Sequence, residues 1–458
     1  MVQQEKLFET LSPGRLFLRC AAPSAISMAV TSLYTVADGI FVGQFVGEDA
    51  LAAVNLVMPL ILMSFALADM VAVGSSVQIA LRLGAKEAGA ASRIFSFCSG
   101  LIVLISCVVG MAGYFLAGPA LRLMGAQPSV ASIAVEYLQV YAVFSPAIMI
   151  FFAVDNYLRI CGRVRYSMVL NVMISILNIA LDFLFVVILK KGAASAAFAS
   201  CLSLTLGTAL GFLPFIRGKL PLRFVKGGLP PRLLGNILAN GSSEFFSNIA
   251  GSVMMLALNG TLLRISGSMA VAAFSIVMYV DSVVDAMVFG MADSLQPALS
   301  YNYGAKQRKR VFALEKWVLA AGAAMSAAAM AVMLAGGEGV IALFVQKGDA
   351  ALLEMSERAM RLFSVCYLVK WLGTCLSSFF TALGRAGYSL VLAFCRTLVF
   401  PLISLGVLPP LLGLDGVWLT PAAAGMLAAV LAVAFLLLLV RNEKKRSAFA
   451  GFDEKLKS

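Results

Sequence analysis

The chain has 458 residues, 61% hydrophobic and 13% charged, with a mean hydropathy of +0.94. Soluble domains carry about 25% charged residues, so this composition excludes one and defines an integral membrane protein. The net charge of +12 rests on Lys and Arg scattered through short loops, which excludes a nucleic-acid partner, and the lack of any histidine excludes His-based metal or catalytic sites.

Apolar stretches of spanning length predict twelve transmembrane helices and an all-α fold. The first, over 16–43, holds Pro23, Tyr34 and Asp38. Pro23 lacks the backbone N–H a helix needs, so a kink is expected there. Tyr34 and Asp38 are one turn apart and share a face. The second span, 50–76, holds Asp69, and the third, 92–117, holds no acid, its one charge being Arg93 at the start. The fourth, 131–157, carries Asp155 near its end, and the fifth, 166–189, carries Asn178 and Asp182 one turn apart. The sixth covers 193–216. Residues 217–235, rich in Pro, Gly and basic residues, read as a polar linker. The seventh span, 236–263, holds Glu244 beside Phe245 and Phe246. The eighth, 268–295, holds Asp281, Asp285, Met287 and Asp293. Spans at 311–335, 351–382 with Lys370, 387–412 with Arg396, and 416–440 complete the set, followed by a basic tail.

The two halves are copies. Gly162-Arg163-x-x-Tyr166-Ser167-x-Val169-Leu170 returns as Gly384-Arg385-x-x-Tyr388-Ser389-x-Val391-Leu392, and Gly84-Ala85-Lys86 returns as Gly304-Ala305-Lys306. Ala50-x-Ala52-Ala53 and Gln78-x-Ala80-Leu81 return in the same order. Six spans bring the chain back to its starting side, so the second copy enters the membrane as the first did. The expected fold is a lobe over 1–216, the linker, and a lobe over 236–458, related by a pseudo-two-fold axis along the membrane normal with a cleft between them. Lys and Arg cluster in the loops after even-numbered spans, among them Arg82, Lys86, Arg159, Arg163, Lys306 and Arg308, which predicts that both termini are cytoplasmic.

An ionised carboxylate at mid-membrane costs roughly 2.5–3.5 kcal/mol, so each needs a reason. Asp38 with Tyr34, and Asp182 with Asn178, each pair an acid with a neutral oxygen donor. Such a set can carry a proton or bind Na⁺ at Asp38, Asn178 and Asp182 through oxygen ligands. Shifted by the repeat offset, Asp38 becomes Leu258 and Asp182 becomes Ser404, so the architecture does not require the acids. Glu244, an acid beside aromatic rings, suits an organic cation, or else is an interfacial glutamate among headgroups. Asp285 and Met287 are expected to line the cleft, Met287 as part of an adaptable wall. Asp293 reads as solvated or capping. Eight cysteines without C-x-x-C spacing read as packing residues, and no phosphate-binding G-x-x-x-x-G-K-[ST] loop occurs.

Two six-span copies, Pro23 with Tyr34 and Asp38, Asn178-x-x-x-Asp182, the stretch from Ala37 to Gly43 followed by Ala50 to Asn55, and Gly84-Ala85-Lys86 together resemble the multidrug and toxic compound extrusion (MATE) family, nearest its prokaryotic branch typified by DinF and MepA. The resemblance covers nearly the whole chain. It implies a non-enzymatic antiporter, working as a monomer in a prokaryotic cytoplasmic membrane. Its role would be to export small amphipathic, mainly cationic compounds, coupled to H⁺ or Na⁺ and using no cofactor. Asp38 and Asp182 fall where that branch couples ions, whereas Glu244 resembles an acid of the NorM branch. Two other readings stand beside it. A lipid-linked saccharide flippase needs cationic residues in the cleft, where here the deep charges are mostly acidic. A membrane-embedded prenyltransferase would use Asp281-x-x-x-Asp285 as an Mg²⁺ motif, but no partner motif occurs.

Overall fold

The computed structural model describes residues 7–46, 48–123, 128–341 and 350–457. It is built of helices. In chain order α1 is Pro13–Phe45, α2 Glu48–Gly84, α3 Ala88–Leu123 and α4 Pro128–Ile160. Then α5 runs over Val164–Asp182 and continues as a π turn, Phe183–Ile188, before α6 at Ala193–Ile216. In the second half α7 is Pro231–Gly267 and α8 is Met269–Gly304. The chain passes from one to the other at a break centred on Gly267, whose φ of 71° a residue with a β-carbon rarely adopts. Next come α9 at Arg308–Ile341 and α10, whose pieces Ala350–Ser364 and Lys370–Ala382 meet at a 42° bend. After these, α11 spans Ala386–Phe394, a π turn at Cys395–Val399 and Phe400–Leu412, and α12 is Leu414–Lys457. Ten of these are apolar and long enough to cross a membrane, eleven with bent α10, and α1 has 33 residues.

The duplication is visible in the backbone. Lys86 and Lys306, at matching places after α2 and α8, have φ of 63° and 59°, and Gly162 and Gly384 have 76° and 66°. Each Gly-Ala-Lys turn closes its helix with the same bonds: Ala85 N–H to Leu81 C=O and Lys86 N–H to Leu83 C=O, then Ala305 N–H to Tyr301 C=O and Lys306 N–H to Tyr303 C=O. A left-handed residue ending a helix satisfies carbonyls that would otherwise lack donors.

Burial shows how the lobes sit. One apolar cluster draws on both halves and joins Leu16, Ala72, Phe95, Tyr157, Leu295, Phe379 and Leu392. The other ends of the lobes have separate cores. Val42, Val57, Leu121 and Tyr137 belong to the first lobe's own core, and Leu262, Phe274, Phe363 and Trp418 to the second's. The lobes are therefore fused at the end that carries the linker and parted at the other. The fused end is a close seam. A β-carbon at Gly84 would run into the Tyr301 carbonyl, and one at Gly304 into the Leu81 carbonyl. Gly84 and Gly304, like Leu81 and Tyr301, are 220 residues apart, so the two contacts are symmetry mates and the pseudo-two-fold axis passes between them. Gly74 and Gly241 hold α2 against α7 in the same way, through the Ile237 and Met70 carbonyls.

The linker is less solvated than its composition suggests. Leu220 and Leu222 are buried, Phe224 packs on Phe95 at 4.8 Å, and the Val225 N–H donates to Ser96 Oγ at 2.9 Å. It is strapped to the first lobe because alternate apolar side chains among the basic ones find the α3 surface.

Candidate functional sites: a polar chamber, a cleft floor and a charged cavity

Three charged regions follow from this architecture. The first is inside the first lobe, where α1, α4, α5 and α6 converge. Asp38 and Asp182 are both buried, and one carboxylate oxygen of each, Oδ1, has no hydrogen-bond partner among the described residues. With its amide turned so that every group is satisfied, Asn178 donates to Asp182 Oδ2 at 3.1 Å and accepts from the Ser200 hydroxyl at 2.8 Å and backbone N–H at 3.2 Å. The opposite orientation sets oxygen against acceptors. Asp38 and Asp182 lie within electrostatic range of one another, and Asp38 is also within electrostatic range of Tyr137 and Tyr141, whose rings are 5.4 Å apart. The chamber thus brings together the predicted Asp38, Asn178 and Asp182, with Tyr34 in electrostatic range of Tyr141. Tyr137, Tyr141 and Ser200 were not singled out in the sequence. Tyrosines one turn apart on α4 and a serine in an alanine-rich span carry no signal until the helices meet. Asp182 ends the α-helical part of α5, and the wider π turn begins directly after it. Such π turns are frequent at functional sites. Helix α1 continues unbroken through Pro23.

The second region is the floor of the cleft, just above the seam. Glu244 lies one turn beyond the Gly241–Met70 contact, partly exposed, within electrostatic range of Asp69, Asp293 and Arg396. Its place is therefore at the junction of the lobes, not among lipid headgroups. Beside it Arg159 of α4 pairs with Asp155 at 2.6 Å and, across the seam, with Asp293 of α8 at 3.6 Å. Asp155 also accepts from Ser167 at 2.5 Å and Asn171 at 2.9 Å. Asp293, expected to be solvated or capping, is instead one side of an inter-lobe ion pair. Sequence reading took Arg159 only as a marker of membrane orientation, because nothing local places it opposite Asp293.

The third region is inside the second lobe. Lys370, where α10 bends, donates to Asp281 at 2.8 and 3.0 Å and to Asp285 at 2.8 Å, and Tyr367 adds a bond to Asp281 at 3.0 Å. The Asp281-x-x-x-Asp285 pair is thus bridged by an ammonium, which occupies the place an Mg²⁺ ion would need. Asp285 turns toward the second lobe. Met287, two residues on and 37% exposed, shares a face with Gly290, which accepts from Ser24 of the first lobe at 2.9 Å.

Two helical lobes fused at one end and parted at the other, with carboxylates buried in one of them that no basic side chain among the described residues pairs with, define a membrane transporter. The MatE family model matches residues 23–184 and 245–404, one match per lobe, and the chain belongs to that family. It is 22% identical to the multidrug export protein MepA of Staphylococcus saprophyticus over 441 residues, covering 95% of this chain and 96% of that protein. MepA of Staphylococcus haemolyticus is 22% identical over 438 residues, with 95% of each chain covered. Among solved structures, an outward-facing conformation of a multidrug resistance MATE transporter superposes with a TM-score of 0.88 at 25% identity, over 96% of this chain and 98% of that one. A MATE complex with the molecule MaL6 gives 0.87 at 26%, over 97% and 100%. These matches agree with the family and branch expected from the sequence.

Proposed function

We propose that this chain is an antiporter of a prokaryotic cytoplasmic membrane that exports small amphipathic, mainly cationic compounds, coupled to H⁺ or Na⁺. The observation that carries the coupling is the pair of buried carboxylates, Asp38 and Asp182, each with an oxygen that no group among the described residues satisfies. A buried charge without a partner is costly. A proton or a Na⁺ ion held by Asp38, Asp182 and Asn178 would remove that cost, and either suits an all-oxygen site. Basic loops put the fused end in the cytoplasm, so the described arrangement is the outward-open one. Relatives named as multidrug export proteins support the substrate class, as do the acids Asp69, Glu244 and Asp293 that give the cleft floor its negative charge. Neutralising the chamber lets α1 and α5 repack, which couples ion binding to release of the substrate outward.

The test is ethidium efflux from proteoliposomes under separately imposed proton and sodium gradients. Asp38→Asn should abolish gradient-driven export while the protein stays folded by size-exclusion profile. Uphill export at near wild-type rate would place the coupling site elsewhere, with Glu244 the next acid to test.

A further inference from the structure

The second lobe contains a cavity of about 150 Å³ in the place where the first lobe keeps its acidic chamber. Leu258, the repeat mate of Asp38, is on its wall, so the two hollows correspond. Their polarity does not. Besides Asp281, the ionisable side chains on this wall are Lys370 and Arg396. Lys370 is already shared between Asp281 and Asp285. Arg396 is not matched: its Nη1 donates to the Thr374 hydroxyl at 3.1 Å and its buried Nε has no partner among the described residues. Among the described residues no carboxylate lies within ion-pairing distance of it. A guanidinium is always charged and presents a planar fork of donors, so a site that leaves it open is shaped for an oxyanion.

Two further features make this a built site. Arg396 is carried on the π turn of α11, Cys395–Val399, as Asp182 borders the π turn of α5. The same backbone device thus sits beside an acid in one lobe and a base in the other. Apart from Thr420, the rest of the wall is apolar or aromatic, including Met254, Met278, Phe274 and Phe363. A cavity near 150 Å³ accepts a body the size of one benzene ring, by order of magnitude.

We infer that the second lobe holds a subsite for the anionic group of an amphipathic organic acid or zwitterion, with Arg396 binding its carboxylate and the Phe–Met wall taking its apolar body. This rests on the export reading for its role, and extends the substrate class from plain cations to compounds that also carry a negative group. Zwitterions would place their cationic end toward Glu244, which is within electrostatic range of Arg396.

Trp418 stacks on Phe274 of the cavity wall, with ring centroids 5.8 Å apart, and serves as the reporter. In the full-length protein carrying Trp317→Phe and Trp371→Phe, energy transfer from Trp418 to anthranilate, a single benzene ring bearing a carboxylate, reads binding. Anthranilate should bind at least tenfold more tightly than its uncharged methyl ester. Arg396→Gln should erase that ratio, and Arg396→Lys should restore part of it. Ala424→Leu, which fills the cavity without touching charge, should weaken anthranilate. If Arg396→Gln does not fold, the wild-type ratio together with Ala424→Leu decides the point. Equal binding of acid and ester, or an unchanged ratio in Arg396→Gln, overturns the inference. Displacement of anthranilate by phosphatidylglycerol but not by benzoate would assign Arg396 to a lipid phosphate and also overturn it. Binding is read without any gradient. A wild-type protein that fails to export ethidium would therefore remove the export reading and leave this result standing.

Discussion

A single methyl group placed in the seam should shift the balance between the two ends of the transporter. In Gly84→Ala the new β-carbon meets the Tyr301 carbonyl, which is backbone and cannot rotate away. The seam would have to open by about 1 Å to restore ordinary packing distances. Overpacking of this kind costs roughly 1–3 kcal/mol. Any change in helix propensity acts on both conformers alike, so it cancels in their ratio. The seam contact exists only when the linker end is closed, so the same energy appears as a roughly 5- to 150-fold shift toward a state with that end open. Gly304→Ala should act equally, being the symmetry mate. The double variant should shift less than the sum, since one opened seam relieves both clashes. Nitroxide labels at Phe115 and Leu411, exposed residues late in α3 and α11, report the distance across the parted end. The background replaces Cys107 and Cys395 with serine; the six other cysteines are buried. The distance distribution should move to shorter values in Gly84→Ala, and stay unchanged in Gly118→Ala, where a β-carbon meets nothing. A folded Gly84→Ala protein with the wild-type distribution would refute the argument that these glycines hold the lobes together.

Two other perturbations separate the charged regions. Asp293→Asn removes the inter-lobe partner of Arg159 but leaves its Asp155 pair, so backbone amides of α8 near the seam should exchange a few-fold faster, in line with a partly screened pair worth about 1 kcal/mol; unchanged exchange would mean the pair does not hold the lobes. Lys370→Met strands Asp281, whose side chain is 3% exposed, and should cost about 3 kcal/mol in thermal unfolding, with most of the loss recovered in Lys370→Met/Asp281→Asn; additive losses would deny that the ammonium neutralises that acid.

Much of the molecule was legible from local pattern. Hydropathy marks spans because a bilayer demands about twenty apolar residues per helix whatever surrounds them. The repeats are visible because duplicated turns keep their glycines and backbone geometry, as Lys86 and Lys306 show. Spacing of four put Asn178 and Asp182 on one face, and the structure joins them with a hydrogen bond. What the sequence could not set is which faces meet. Tyr141 and Ser200 join Asp38 only through the crossing of α1, α4, α5 and α6. Arg159 finds Asp293 across the lobe boundary, Lys370 takes both acids of α8, and Arg396 is left without one. Partner choice among buried charges depends on helix rotation and crossing, which long-range packing sets and no window of sequence contains. The identity of the charged residues is therefore local information, and their meaning is tertiary.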